Sequence, residues 1–79
     1  MSGTVITKSV DARGMACPGP LMSLIGEIRS GAVGDVIEVL SSDEGSATDI
    51  PAWVAKAGHD LIEVAVEPGF RRFVVRKAR

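Results

Sequence analysis

The pattern of apolar and polar positions divides the chain into alternating strands and helices. Residues 4–10 are rich in β-branched side chains and predict a first strand, which ends at Asp11. Apolar residues then recur at three- and four-residue spacing after Pro20, so the pattern predicts a first helix that ends at Gly31. Residues 35–40 are almost continuously apolar, which indicates a second strand at the centre of a sheet.

A second helix is predicted over residues 46–57, with Gly58 as its terminator. Ser46 and Asp49 have the spacing of a capping box, which favours a start at Ser46. Pro51 would then lie beyond the first turn, and a helix with Asp49 as its N-cap accommodates the proline better. The sequence leaves this boundary open.

The remaining segments predict a hairpin and complete the fold. Residues 61–66 alternate apolar and polar side chains, residues 67–69 form a turn, and residues 70–75 supply the last strand. Right-handed crossovers place both helices on one face of a four-stranded mixed sheet. We therefore predict one domain over residues 1–79, a two-layer α/β (α+β) sandwich of order βαβαββ.

Composition and charge exclude several classes of protein. Hydrophobic residues make up 46% of the chain and charged residues 24%, with a net charge of −1, as in an ordinary globular protein. Near-neutral charge argues against direct nucleic-acid binding. Apolar runs fall short of the roughly 20 residues that span a bilayer, and no signal-peptide pattern begins the chain, so we expect a cytoplasmic protein with no membrane association.

Basic residues cluster near the C-terminus. We expect them to form the solvated face of a terminal strand, with a partner-docking patch as the alternative. They are Arg71, Arg72, Arg76, Lys77 and Arg79.

Cys17, the only cysteine, lies where the first loop meets the first helix. The positive end of a helix dipole and unpaired N–H groups favour a thiolate there, so we expect a lowered pKa. Pro18 and Pro20 stiffen the backbone around Gly19, which has no side chain to obstruct a partner. His59 is the only histidine, and nothing in the sequence brings it to Cys17, so a zinc site and a Cys–His hydrolase are poorly supported. What remains is a thiol that receives a group and hands it on; the alternative is an inert, buried cysteine.

The segment around Cys17 resembles the signature of a known family. Residues 11–20, Asp-Ala-Arg-Gly-Met-Ala-Cys-Pro-Gly-Pro, are similar to the Asp-x-Arg-Gly-x-x-Cys-Pro-x-Pro pattern of the TusA (SirA-like) sulfur carriers, and residues 49–53 and 73–77 also look like that family. The resemblance implies a βαβαββ sandwich similar to the C-terminal domain of translation initiation factor 3. It also implies that Cys17 accepts sulfane sulfur from a cysteine desulfurase or rhodanese-like donor. The sulfur is carried as a covalent persulfide, without another cofactor, to an acceptor such as a DsrE-like or TusD-like protein.

The resemblance assigns roles to the neighbours of Cys17. Arg13 would orient the loop or favour the anion, and Asp11 and Gly14 would shape the turn. The alternative for Arg13 and Asp11 is a local salt bridge with no chemical role. Other residues near the thiol would form part of a docking surface for partner enzymes; they are Met15, Pro18, Gly19 and Pro20.

Several alternatives stay open at the level of the sequence. In relatives the sulfur serves dissimilatory sulfur oxidation, tRNA thiolation or molybdenum cofactor assembly, and the sequence favours the first only slightly. We expect a monomer, because a carrier must expose its thiol. The main alternative is a regulatory or protein-interaction module with an incidental cysteine. RNA binding is weakened by the near-neutral charge and by the presence of only three aromatic residues.

Overall fold

The computed structural model describes residues 5–16 and 18–79 of the chain. Over these residues the elements follow the predicted βαβαββ order. They are β1 (Lys8–Asp11), α1 (Gly19–Ser30), β2 (Val36–Ser41), α2 (Ser46–Ala57), β3 (Asp60–Glu67) and β4 (Phe70–Arg76). No helix in this part of the chain has the length and apolar character needed to cross a membrane.

The strands form one mixed sheet in the order β1-β2-β4-β3. β1 runs parallel to β2, whereas β4 is antiparallel to both β2 and β3. The crossover from β1 to β2 therefore carries α1, and the β3–β4 hairpin closes the other side of the sheet. The predicted mixed four-stranded sheet is confirmed, with β2 in the interior position that its apolar run indicated.

The core lies between one face of the sheet and the two helices. Phe73 is completely buried at its centre, opposite Val39 of β2 and Val64 of β3. Both helices contribute to this layer, which explains their apolar spacing. The helical core residues are Leu24 and Ile28 of α1 and Ile50 and Val54 of α2. Trp53 is half-buried and packs at the margin of the core.

The first strand is shorter than predicted. It begins at Lys8, opposite Ile37 of β2. Thr7, the residue before it, still pairs with Val36. The Thr7 N–H donates to the Val36 carbonyl at 2.8 Å, and the Val36 N–H donates to the Thr7 hydroxyl at 3.1 Å. The strand cannot extend further towards the N-terminus because β2, its only neighbour in the sheet, begins at Val36. Position 4, where the predicted strand starts, lies outside the described residues.

The second helix begins at Ser46, and the alternative start with Asp49 as N-cap is wrong. The capping box is wrong as well, because Gly45 is the N-cap and Ser46 is the first helical residue. The Ser46 hydroxyl instead makes a buried hydrogen bond of 2.8 Å with the hydroxyl of Ser41. Pro51 lies inside the helix, where it removes one intrahelical N–H donor, and this local cost is outweighed by burial of the helix on the sheet.

The basic residues of β4 do not form a free cationic patch. Arg72 is paired with Glu38 and with Glu63, which lie on the two neighbouring strands. Arg76 is paired with Asp60 in the same way. These cross-strand pairs match each arginine charge with a carboxylate on a neighbouring strand, on the face of the sheet that the helices do not cover.

Gly58 adopts the left-handed conformation at the end of α2, with φ of +82°, and its N–H donates to the carbonyls of Val54 and Ala55. A Cβ at this position would be strained, so we expect Gly58→Ala to lower the free energy of unfolding by about 1 kcal/mol. Gly26, exposed within α1, has open space for a Cβ. Gly26→Ala should therefore raise the free energy of unfolding by about 0.5–1 kcal/mol. Urea denaturation of both variants measures the difference, and a loss in both or a gain in both would contradict this account.

Candidate functional site

The loop between β1 and α1 crosses the end of the sheet at which β2 terminates. Ala12 is buried, and its N–H donates to the carbonyl of Leu40 at 2.8 Å. The N–H of Gly14 then donates to the hydroxyl of Ser42, just beyond β2, at 2.9 Å. Gly14 has φ of +87°, so the turn requires a glycine. Cys17 belongs to this loop in sequence, but its own position lies outside the described residues.

Asp11 and Arg13 form a two-point ion pair at the start of the loop. The Arg13 Nε and Nη2 atoms donate to the two carboxylate oxygens at 2.8 and 2.7 Å, and the Arg13 backbone N–H donates to one of them at 3.1 Å. These hydrogen bonds from the Arg13 side chain and backbone lower the pKa of Asp11 from 3.8 to about 2. The local salt bridge that the sequence offered as an alternative is therefore present, and Asp11 balances the charge of Arg13 nearby.

Arg13 also reaches the hairpin on the far side of β2. Its guanidinium carbon lies 5.0 Å from the centre of the Phe70 ring, at the first residue of β4. A cation–π contact of this kind at an exposed site contributes about 0.5–1 kcal/mol. Sequence reasoning missed both Phe70 and Ser42, although together they fix the course of the loop.

The residues after Cys17 have different environments. Pro18 is exposed, and Met15 is 45% exposed. Gly19 lies against Met15, since a Cβ built there would come within 3.1 Å of the Met15 Cβ. Pro20 is buried, so its assignment to a docking surface is wrong. Its place at the second position of α1 turns its ring towards the core, whereas the other three remain accessible.

The N-terminus of α1 directly follows Cys17 in the sequence. Pro18 is the N-cap, and the first turn, residues 19–22, contains only uncharged residues. The positive end of the helix dipole is thus not offset by a carboxylate in that turn. An anion close to this end of the helix is stabilised, which is the electrostatic environment that lowers a thiol pKa.

His59 lies at the opposite end of the sheet from this loop. It precedes Asp60, which is aligned through Arg76 with Val36 at the beginning of β2. The loop follows β1, whose last residue, Asp11, pairs with Leu40 near the end of β2. The six residues of β2 span five steps of about 3.3 Å each, which separates these ends by about 17 Å. His59 instead accepts a hydrogen bond on Nδ1 from the Ala78 N–H at 3.0 Å. The described residues of the loop therefore lie far from His59.

Metal-binding side chains are not gathered near the loop or elsewhere in residues 5–16 and 18–79. Within these residues, no group of three or more His, Cys, Asp and Glu side chains is arranged to hold an ion.

Comparisons with known proteins identify the family. The model of the family described as sulfurtransferase TusA matches residues 8–77, and the chain belongs to this family. It is 59% identical to a putative sulfur carrier protein of Archaeoglobus fulgidus, over 89% of this chain and 96% of the relative. It is also 35% identical to a protein of Pseudomonas aeruginosa PAO1 named sulfur carrier protein TusA, over 86% of each chain.

A solved structure supports the same fold. The crystal structure of a SirA-like protein from Desulfitobacterium hafniense superposes with a TM-score of 0.78, covering 91% of this chain and 99% of the other, at 20% identity. The family match and the named relatives confirm the predicted resemblance to the TusA (SirA-like) family, and this structure confirms the fold.

The Asp11–Arg13 pair predicts a specific pH dependence. Because the pKa of Asp11 is lowered from 3.8 to about 2, its contribution to stability is fully present above pH 3.8 and is lost as the pH falls through about 2. We expect an NMR titration of the Asp11 carboxyl carbon to give a midpoint near 2, and Arg13→Gln to move that midpoint back towards 3.8. Arg29→Gln, which removes an equal charge on α1, is the control. A midpoint that does not respond to Arg13→Gln would refute the pairing.

Proposed function

We propose that this protein is a sulfur carrier in which Cys17 accepts sulfane sulfur as a persulfide and passes it to an acceptor protein. The observation that carries the proposal is the Asp-x-Arg-Gly-x-x-Cys-Pro-x-Pro segment of residues 11–20, in a chain that belongs to the TusA family. Relatives from an archaeon and from bacteria are named as sulfur carriers, which supports the same role here.

The proposed chemistry consists of two thiol exchange steps. The Cys17 thiolate attacks the outer sulfur of a donor persulfide, a new S–S bond forms, the donor S–S bond breaks, and the donor leaves as a thiolate. An acceptor thiolate then attacks the outer sulfur of the Cys17 persulfide, and Cys17 leaves as a thiolate. The sulfane sulfur and its proton move from donor to acceptor, so no external oxidant or reductant is required.

The neighbours of Cys17 support these steps in different ways. The uncompensated N-terminus of α1 favours the thiolate both as nucleophile and as leaving group. Arg13 acts as a positioning residue, since its contacts with Asp11 and Phe70 hold the start of the loop. Met15 and Pro18 leave the surroundings of the thiol open to partner enzymes.

The proposed partners are those that the family resemblance implies. A cysteine desulfurase or a rhodanese-like protein is the proposed donor, and a DsrE-like or TusD-like protein is the proposed acceptor. Dissimilatory sulfur oxidation or tRNA thiolation is the destination of the sulfur. The carrier works as a monomer in the cytoplasm, where thiols stay reduced. The sulfur is carried only as the covalent Cys17 persulfide, without another cofactor.

Intact mass spectrometry tests the proposal. The reduced protein is incubated with polysulfide, or with a cysteine desulfurase loaded from L-cysteine. We expect a gain of about 32 Da per sulfur atom that is reversed by dithiothreitol. If no such adduct forms with either donor, the cysteine is incidental and the protein is an interaction module.

A further inference from the structure

A pocket lies beside the loop that carries Cys17. It has a volume of about 160 Å³ and opens to solvent. One wall is formed by Ser41, Ser42 and Glu44, at the end of β2 and after it. The opposite wall is formed by the β3–β4 hairpin, mainly by Val66, Glu67 and Phe70.

Both walls of the pocket are also attached to the Cys17 loop. Ser42 accepts the hydrogen bond from the Gly14 N–H at 2.9 Å. The guanidinium carbon of Arg13 lies 5.0 Å from the centre of the Phe70 ring. A group bound in the pocket therefore lies next to the loop, and a molecule that extends from it passes close to the segment that contains Cys17.

The size of the pocket restricts what can occupy it. Pockets for small-molecule ligands have volumes of about 300–1,000 Å³, so 160 Å³ is too small to enclose such a ligand. One side chain of a partner protein is an occupant of suitable size. The Phe70 ring, which lies opposite Glu67 across the hairpin and shares its face, offers apolar surface to the stem of that side chain.

The charges around the pocket favour a cationic occupant. Arg71 lines the pocket, but its charge is matched by Glu44 at 3.1 Å. The nearby charge of Arg13 is matched by Asp11. The Glu67 carboxylate is exposed and makes no hydrogen bond or ion pair with the described residues, which leaves a net negative charge at the pocket. A lysine or arginine buries its aliphatic stem while its head meets a carboxylate.

We propose that this pocket receives an arginine or lysine side chain of the protein that exchanges sulfur with Cys17. The stem packs on Phe70, the charged head pairs with Glu67, and the partner's reactive sulfur is thereby held beside the Cys17 loop. This docking site rests on the proposed sulfur carrier function.

Persulfide peptides test the proposal without an identified partner. Each peptide carries a cysteine persulfide and, at one of several spacings, either an arginine or a glutamine. We expect the arginine peptide to load Cys17 about two- to fivefold faster for at least one spacing at low ionic strength, the scale of an exposed ion pair. Glu67→Gln should abolish this advantage. Glu63→Gln is the matched control, because it removes the same charge from the same strand, where Glu63 pairs with Arg72.

Three kinetic outcomes would overturn the proposal. They are no arginine advantage at any spacing, an advantage that survives Glu67→Gln, and an advantage lost equally in Glu63→Gln. In the first case, equal loading from arginine and glutamine peptides leaves the carrier function standing while the docking site fails.

A second readout keeps the docking site testable when no peptide loads Cys17. An unreactive arginine peptide with serine in place of the cysteine persulfide is titrated against the protein by NMR. Shifts of the Val66, Gly69 and Phe70 amides that disappear in Glu67→Gln support the pocket, and the carrier function alone then fails. Absence of such shifts overturns the docking site.

Discussion

Replacement of Cys17 by serine is expected to abolish persulfide loading completely. The attacking group in the exchange is a thiolate, and a serine hydroxyl stays protonated at neutral pH and cannot form a persulfide. The chain contains no second cysteine that could take over the reaction. Intact mass spectrometry after exposure to polysulfide should therefore show about 32 Da of added mass per sulfur for the natural chain and none for Cys17→Ser.

A matched control separates loss of the nucleophile from loss of the fold. Gly26→Ala changes an exposed position of α1 and retains Cys17, so it should load sulfur like the natural chain. Circular dichroism and thermal unfolding show whether the Cys17→Ser variant is folded under the conditions of the assay. A folded Cys17→Ser protein that still gained the adduct would refute the mechanism.

The elements that the sequence predicted well are those whose signal is local. Leu24 and Ile28 lie one turn apart on α1 and both face the core, so their spacing alone reveals the helix. The elements predicted less well depend on partners elsewhere in the chain. β1 begins only where β2 provides a strand to pair with. The Ser46 hydroxyl does not cap the helix because it is hydrogen-bonded to Ser41, a residue of β2. Neither fact is visible in the segment concerned.

The candidate site shows the same division. Residues 11–20 attract attention by their composition and by their resemblance to a family signature, and the Asp11–Arg13 pair is close enough in sequence to be anticipated. Phe70 and Ser42 carry no such signal, because each becomes part of the site only when the sheet brings the end of β2 and the start of β4 together. Pro20 was misassigned because its burial depends on the rotation of α1, which a motif does not specify.

Truncation of Phe73 is expected to have the largest effect on stability. Its side chain is 0% exposed and lies at the centre of the layer between the sheet and both helices. Phe→Ala changes at buried sites cost about 3–5 kcal/mol, because apolar contacts are lost and a cavity remains. A chain of 79 residues has a total stability of about 4–12 kcal/mol at 0.05–0.15 kcal/mol per residue. Phe73→Ala should therefore remove about a quarter or more of the free energy of unfolding.

Urea denaturation measures this loss, and Phe73→Leu provides a milder variant if the alanine variant fails to fold. We expect Phe73→Leu to lose less than Phe73→Ala because it retains most of the buried apolar volume. Val33→Ala is the control, since Val33 is 66% exposed and a change there should stay within about 0.5 kcal/mol. If Val33→Ala and Phe73→Leu shifted the unfolding midpoint equally, the core would not be centred on Phe73.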